Sequence, residues 1–111
     1  MQPTVKKFIF SALLAFASLL TASFFWNKPF VATIILASLS VLMLLVDRKK
    51  QNLILYFCVF VSGPIAEAIA VYFGAWNYTY PFIAGIPLWL PFVWGNSSLY
   101  IVQIKALIES F

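Results

Sequence analysis

Glu67 is the one carboxylate set deep within an apolar stretch, Leu53 to Trp76, of a chain with only three acidic residues in 111. A charged side chain near the centre of a bilayer costs about 2.5 kcal/mol or more, so a retained one marks a functional-site hypothesis. Desolvation disfavours the charged form, and a carboxylic acid kept neutral can protonate an alkene carbon or an oxygen, or pass a proton along. Asn96 and Tyr100, four apart on one helical face, are candidates to orient that acid. Trp76, Trp89 and Trp94 could stabilise a carbocation through their π faces, with Tyr78 and Tyr80 beside them as substrate contacts. Glu67 and Asn96 each lie about eight residues, or roughly 12 Å, below the outer end of their segment, and this shared depth predicts a hydrogen bond between them. Pro64 cannot donate to the carbonyl of Phe60 and should kink its helix. The opened turn would leave carbonyls near Glu67 for a ligand, or the bend would serve packing alone.

The elements that hold these residues follow from composition. A hydrophobic share of 64% with 9% charged residues, at a mean hydropathy of +1.01, lies outside the range of soluble domains. The whole chain, 1–111, reads as one integral membrane domain of all-α class, a four-helix transmembrane bundle with segments over about 8–25, 30–46, 53–74 and 87–108. Each is long enough to cross a ~30 Å hydrocarbon core at 1.5 Å per residue. Backbone groups in lipid need internal partners, which makes the segments helices.

With both termini cytoplasmic, Lys6, Lys7, Arg48, Lys49, Lys50 and Lys105 fall inside and only Lys28 outside, the arrangement that the positive-inside rule favours. The expected location is the cell (inner or plasma) membrane, crossed several times. Lys6-Lys7, an apolar run and Ala15-Phe16-Ala17 imitate a secretory signal. The run continues to Phe25, which suits a retained spanning helix better.

Helices in lipid associate by close packing and polar contacts, so small residues should mark the contact faces. These are Ser11, Ala15, Ser18 and Ala22 in the first helix, Thr33, Ala37 and Ser40 in the second, and Gly63, Glu67, Ala70 and Gly74 in the third. The fourth carries a polar seam of Trp89, Asn96, Tyr100 and Gln103, with Ser97 and Ser98 beside it. Asp47 with Arg48, Lys49 and Lys50 reads as a solvated turn that prefers anionic headgroups, and Lys105 with Glu109 as an exposed helical pair. Without His, imidazole chemistry and His-based metal sites are excluded, and no metal or cofactor is expected. Cys58 reads as a small core hydrophobe. The net charge of +4 flanks apolar segments and forms no stripe for nucleic acid.

Between the third and fourth segments lies an uncharged aromatic loop, either an interfacial belt or a lid over an apolar ligand. The pattern Glu67 … Gly74-x-Trp76-x-Tyr78-x-Tyr80 … Gly85-Ile86-Pro87-Leu88-x-Leu90-Pro91-x-x-Trp94 resembles the carotenoid-biosynthesis membrane family of bisanhydrobacterioruberin hydratases and, more loosely, the small-subunit lycopene cyclases. The resemblance covers residues 67–98 and implies protonation or hydration of an isoprenoid-type lipid, with Glu67 as the acid. Those enzymes are usually longer and hold further acidic residues, so it equally implies a shortened or inactive relative, or a half-unit that needs a partner.

Three functions remain open from the residues. The leading one is a membrane subunit or assembly protein, working as a homo-oligomer or with a partner membrane subunit, among membrane lipids. The second is an intramembrane enzyme acting on an isoprenoid-type lipid. The third is a small proton-coupled transporter; length, helix number and a lone membrane Glu are similar to the small multidrug-resistance transporters. Those carry the acid in their first helix, however, and lack the strong basic bias seen here.

Overall fold

The computed structural model of the chain describes residues 2–111. It is all-helical: α1 (Pro3–Phe25), α2 (Pro29–Val46), α3 (Lys50–Tyr72) and α4 (Leu90–Glu109). Proline opens α1, α2 and α4, where its missing N–H is no loss and its fixed φ suits the first turn. Three-residue connections, 26–28 and 47–49, fold α1 against α2 and turn the chain into α3. α3 runs unbroken through a buried Pro64. It ends at Gly74 (φ +83°), where Gly74 N–H donates to Val71 O and Ala75 N–H to Ala70 O, the paired bonds of a Schellman cap.

Three helices, α1, α2 and α3, are long and apolar enough to cross a membrane. The fourth is not among them, and its position explains how the fold tolerates this. α4 packs against α1, α2 and α3, whereas the extensive contacts of α3 are with α4 alone. The least apolar helix is thus wrapped by the three most apolar ones. Asn96, Ser98 and Gln103 of its seam are buried: Asn96 bonds to α1 and α2, Gln103 to Asp47 at the end of α2, and Ser98 to Gly95 O of its own helix.

The small-residue stripe of α1 does face inward: Ser11 and Ser18 are buried, with Ala15 and Ala22 partly so. Closest approach occurs between α3 and α4. A Cβ on Gly63 would overlap the Trp94 indole, and one on Gly95 would overlap the Tyr56 ring. In the third helix Gly63 is fully buried, but Gly74 lies exposed beyond the helix end, so the expected stripe holds only for its first members.

The fourth helix begins at Leu90 and not at Pro87, because Pro87–Trp89 forms a turn in which Leu90 N–H donates to Pro87 O. Before it, Ile83 and Ile86 bridge across Ala84 and Gly85, whose φ values of +52° and +81° are those of a type I′ turn. Gly85 presses on α3 here, since an added Cβ would sit 2.7 Å from Val71 Cγ1.

Candidate functional site

Polar side chains gather at three levels of the bundle. At the end that carries the α3–α4 loop, the outer level of the expected topology, Glu67 is partly buried on α3. It accepts hydrogen bonds on both carboxylate oxygens, from the Tyr78 hydroxyl on Oε1 and from Trp94 Nε1 on Oε2. Tyr78 comes from the loop and Trp94 from α4, so one carboxylate fastens the loop and two helices together. Tyr78 also packs edge-on against Trp89, with ring centroids 6.2 Å apart. Burial, then the bond to Glu67 and its charge, push the Tyr78 hydroxyl well above its usual range, against a weaker opposing effect of Trp76. Tyr78 is therefore fixed as a donor to the carboxylate. Trp89 is buried with Ile86, Leu90, Ala32 and Leu36. Among the described residues its Nε1 is the one buried side-chain polar atom without a partner.

The expected Glu67–Asn96 bond is not formed. Asn96 is 1% exposed and is the hub of a middle cluster: its Nδ2 donates to Ser18 Oγ at 3.0 Å, its Oδ1 accepts from Ser40 Oγ at 2.6 Å, and Tyr56 OH donates to Ser40 Oγ at 2.8 Å. One residue from each of the four helices meets there. The reason is azimuth. Asn96 follows Trp94 by two residues, about 200° around the helix, so the face that gives Trp94 to Glu67 turns Asn96 toward α1 and α2. Tyr100 is likewise no companion of Glu67; it lies 6.0 Å from Phe8 of α1 by ring centroids. Tyr80 sits on the half-exposed rim against Trp26, at 6.1 Å, and Trp76 is half-exposed beside it in the loop. Of the seven aromatic and polar companions expected for Glu67 and its substrate, Tyr78 and Trp94 touch the carboxylate.

The level at the opposite end, inner in the expected topology, was misread from sequence. Asp47 is not solvated but 8% exposed. Lys7 Nζ of α1 approaches its Oδ1 at 3.2 Å and Gln103 Nε2 of α4 donates to its Oδ2 at 3.0 Å. Asn52 Nδ2 of α3 donates to its main-chain oxygen at 2.9 Å. Lys7–Asp47 is the only ion pair among the described residues, and the expected Lys105–Glu109 pair is not made. The signal that could have found this cluster is the up-and-down topology, which brings Lys7, Asp47 and Gln103 to one end.

Burial on its own would raise the Asp47 carboxyl, but the bonds from Gln103, Lys7 and Asn52 and the Lys7 charge outweigh it and hold the group below its usual range. A lowered folded-state value means the unfolded chain takes up the proton first. Asp47 then stabilises the fold above the unfolded value near 3.9, and this support is lost as pH falls through the lower folded value. The stability gap between wild type and Asp47→Asn is expected to stay constant from pH 7 to about 5 and to shrink below about 4. Chemical denaturation at each pH checks it; a gap that closes between pH 7 and 5 contradicts the assignment.

An apolar groove between the last turns of α3 and the loop has a volume of about 520 Å³ and is lined by Ile65, Ala68, Ile69, Val71, Tyr72, Phe73, Ala84 and Gly85. Its walls do not include Glu67. No group of His, Cys, Asp and Glu able to hold a metal ion occurs among the described residues. Comparison of the chain with protein-family models, characterised proteins and solved structures finds no match.

Proposed function

We propose that the chain is a multi-pass protein of the cell membrane, with both termini cytoplasmic, that acts as a membrane subunit or assembly protein and does not turn over a substrate at Glu67. The observation that carries this reading is the state of the Glu67 carboxylate. Both oxygens are occupied by donors from the loop and α4. Two of the four lone-pair positions of the carboxylate are thereby taken up in holding the loop and α4 to α3. The nearby groove that would suit a polyene lies along other residues. The middle and inner clusters are spent in the same way, on contacts between helices. Buried polar groups used up internally fix one arrangement of the bundle, which is what a subunit needs to present a constant surface.

Photo-crosslinkers placed singly at exposed Leu13, Val41 and Val61, on α1, α2 and α3, test the reading in native membranes. A discrete protein adduct is expected from at least one position, at equal yield in wild type and Glu67→Gln. Adducts with lipid alone from all three would remove the subunit reading.

A further inference from the structure

The inner end of the bundle carries more than an orientation signal. Lys6, Arg48, Lys49, Lys50 and Lys105 are all exposed there, gathered by the same contacts that bring Lys7, Asp47 and Gln103 together. Asp47, the one acid in the turn itself, is withdrawn: it is buried and paired with Lys7, while Glu109 stays exposed on the last turn of α4. Its withdrawal does two things. It leaves the turn with a purely cationic outer surface, and it pins that turn from beneath. Lys49 N–H donates to Asp47 O at 2.9 Å, the oxygen that also accepts from Asn52 Nδ2, while the carboxylate is held by α1 and α4. Arg48, Lys49 and Lys50 therefore project from a turn tied to three helices. The first turn of α3 follows at once, with no side-chain cap over its N–H groups.

We propose that this end is a docking surface for the phosphate headgroups of anionic phospholipids, with Arg48, Lys49 and Lys50 as contact residues and Asp47 as the strut that positions them. The inference rests on the membrane reading above, which sets these residues at headgroup level. Charge complementarity selects an anion, the guanidinium of Arg48 matches phosphate oxygens in a bidentate way, and a pinned turn loses little freedom on binding. A plain electrostatic patch and a positioned one differ in sign at a single residue. Asp47→Asn raises the net positive charge, so Coulomb attraction alone predicts tighter anionic-lipid binding. Loss of the strut predicts weaker binding.

Native mass spectrometry of the full chain in detergent micelles, titrated with dioleoylphosphatidylglycerol or dioleoylphosphatidylcholine, reads both. Wild type is expected to retain the phosphatidylglycerol on the order of tenfold better, the effect of one to two cations engaged at a time at about 1 kcal/mol, or about fivefold, each. The variant Arg48→Gln/Lys49→Gln/Lys50→Gln should bring the two lipids to near parity, while Lys105→Gln, off the turn, should change retention less than about twofold. Asp47→Asn, with helix content matched to wild type, should lose part of the preference. A gain in that variant would overturn the positioned site. Should Asp47→Asn fail to fold, an unchanged preference in the triple variant would overturn the proposal instead. Equal retention by wild type, with capture of an added polyglutamate peptide, would also overturn it, in favour of an acidic protein partner. An alkaline carbonate wash of native membranes separates the two premises: release of the chain defeats the membrane reading, whereas a retained chain without lipid preference defeats this proposal alone.

Discussion

Glu67→Leu is expected to destabilise the bundle by about 2–4 kcal/mol, the largest loss from any single polar side chain at its outer end. Two donors lose a carboxylate acceptor at once, the Tyr78 hydroxyl and the Trp94 indole N–H. A hydrogen bond to a charged group contributes about 1.5–3 kcal/mol, and a donor left in a dry site adds its desolvation cost. The sum is held down because both donors are only partly buried, and Tyr78 on the loop has a route to water. Glu67→Gln should cost about half as much, since its amide keeps one acceptor oxygen but turns an NH₂ toward the second donor. Tyr78→Phe should release the loop without touching the α3–α4 contact. The order Leu, then Gln, then wild type in unfolding midpoint is the check, together with faster amide exchange over residues 74–89 in all three variants. Equal midpoints for Leu and Gln would show that the two bonds contribute little.

Gly63→Ala is expected to cost about 3–5 kcal/mol, although it adds one methyl group. The new Cβ would overlap the Trp94 ring, and forced overpacking of this kind costs about 1–3 kcal/mol. Trp94 cannot swing aside freely, because its Nε1 is tethered to Glu67; moving the ring gives up that bond, for about 1.5–3 kcal/mol more. The tether makes a sharper expectation than the single number. In a Glu67→Leu background Trp94 is already loose, so adding Gly63→Ala should cost at least about 1 kcal/mol less than it does alone, a coupling typical of residues in contact. Gly95→Ala offers a parallel case, since its Cβ would meet Tyr56, tethered by its hydroxyl to Ser40. Equilibrium unfolding of the two single variants and the double variant decides it. Additive costs would separate the close helix approach from the carboxylate.

The four helices were legible as long apolar runs, of which α1, α2 and α3 are apolar enough to cross a membrane; the ends differ by up to five residues, at the starts of α1 and α3 and where Pro87 and Gly74 make turns of their own. Glu67 was legible as the odd polar residue of an apolar run. Its partners were not, because depth can be counted along a sequence whereas azimuth depends on which helices are neighbours. Asn96 stands at a suitable depth but on the wrong side of α4, and Trp94, two residues earlier, faces α3. The central place of α4 was hidden for the same reason. Its polar seam looked like a site in a spanning helix, and in the fold it is the inner lining that Ser18, Ser40 and Tyr56 meet from three other helices. Asp47 looked solvated because four of its neighbours in sequence are Arg, Lys, Lys and Gln. Only the fold brings Lys7 and Gln103, forty and fifty-six positions away, over its carboxylate.

The most direct test of whether Glu67 fastens the bundle or reacts with a substrate is mass-spectrometric profiling of membrane lipids. Cells making wild type and Glu67→Gln at matched levels would be compared, with polyene precursors supplied. Identical profiles are expected, alongside a lower unfolding midpoint for the variant protein. An isoprenoid product present with wild type and absent with Glu67→Gln would contradict the fastening role and make the carboxyl a reacting acid.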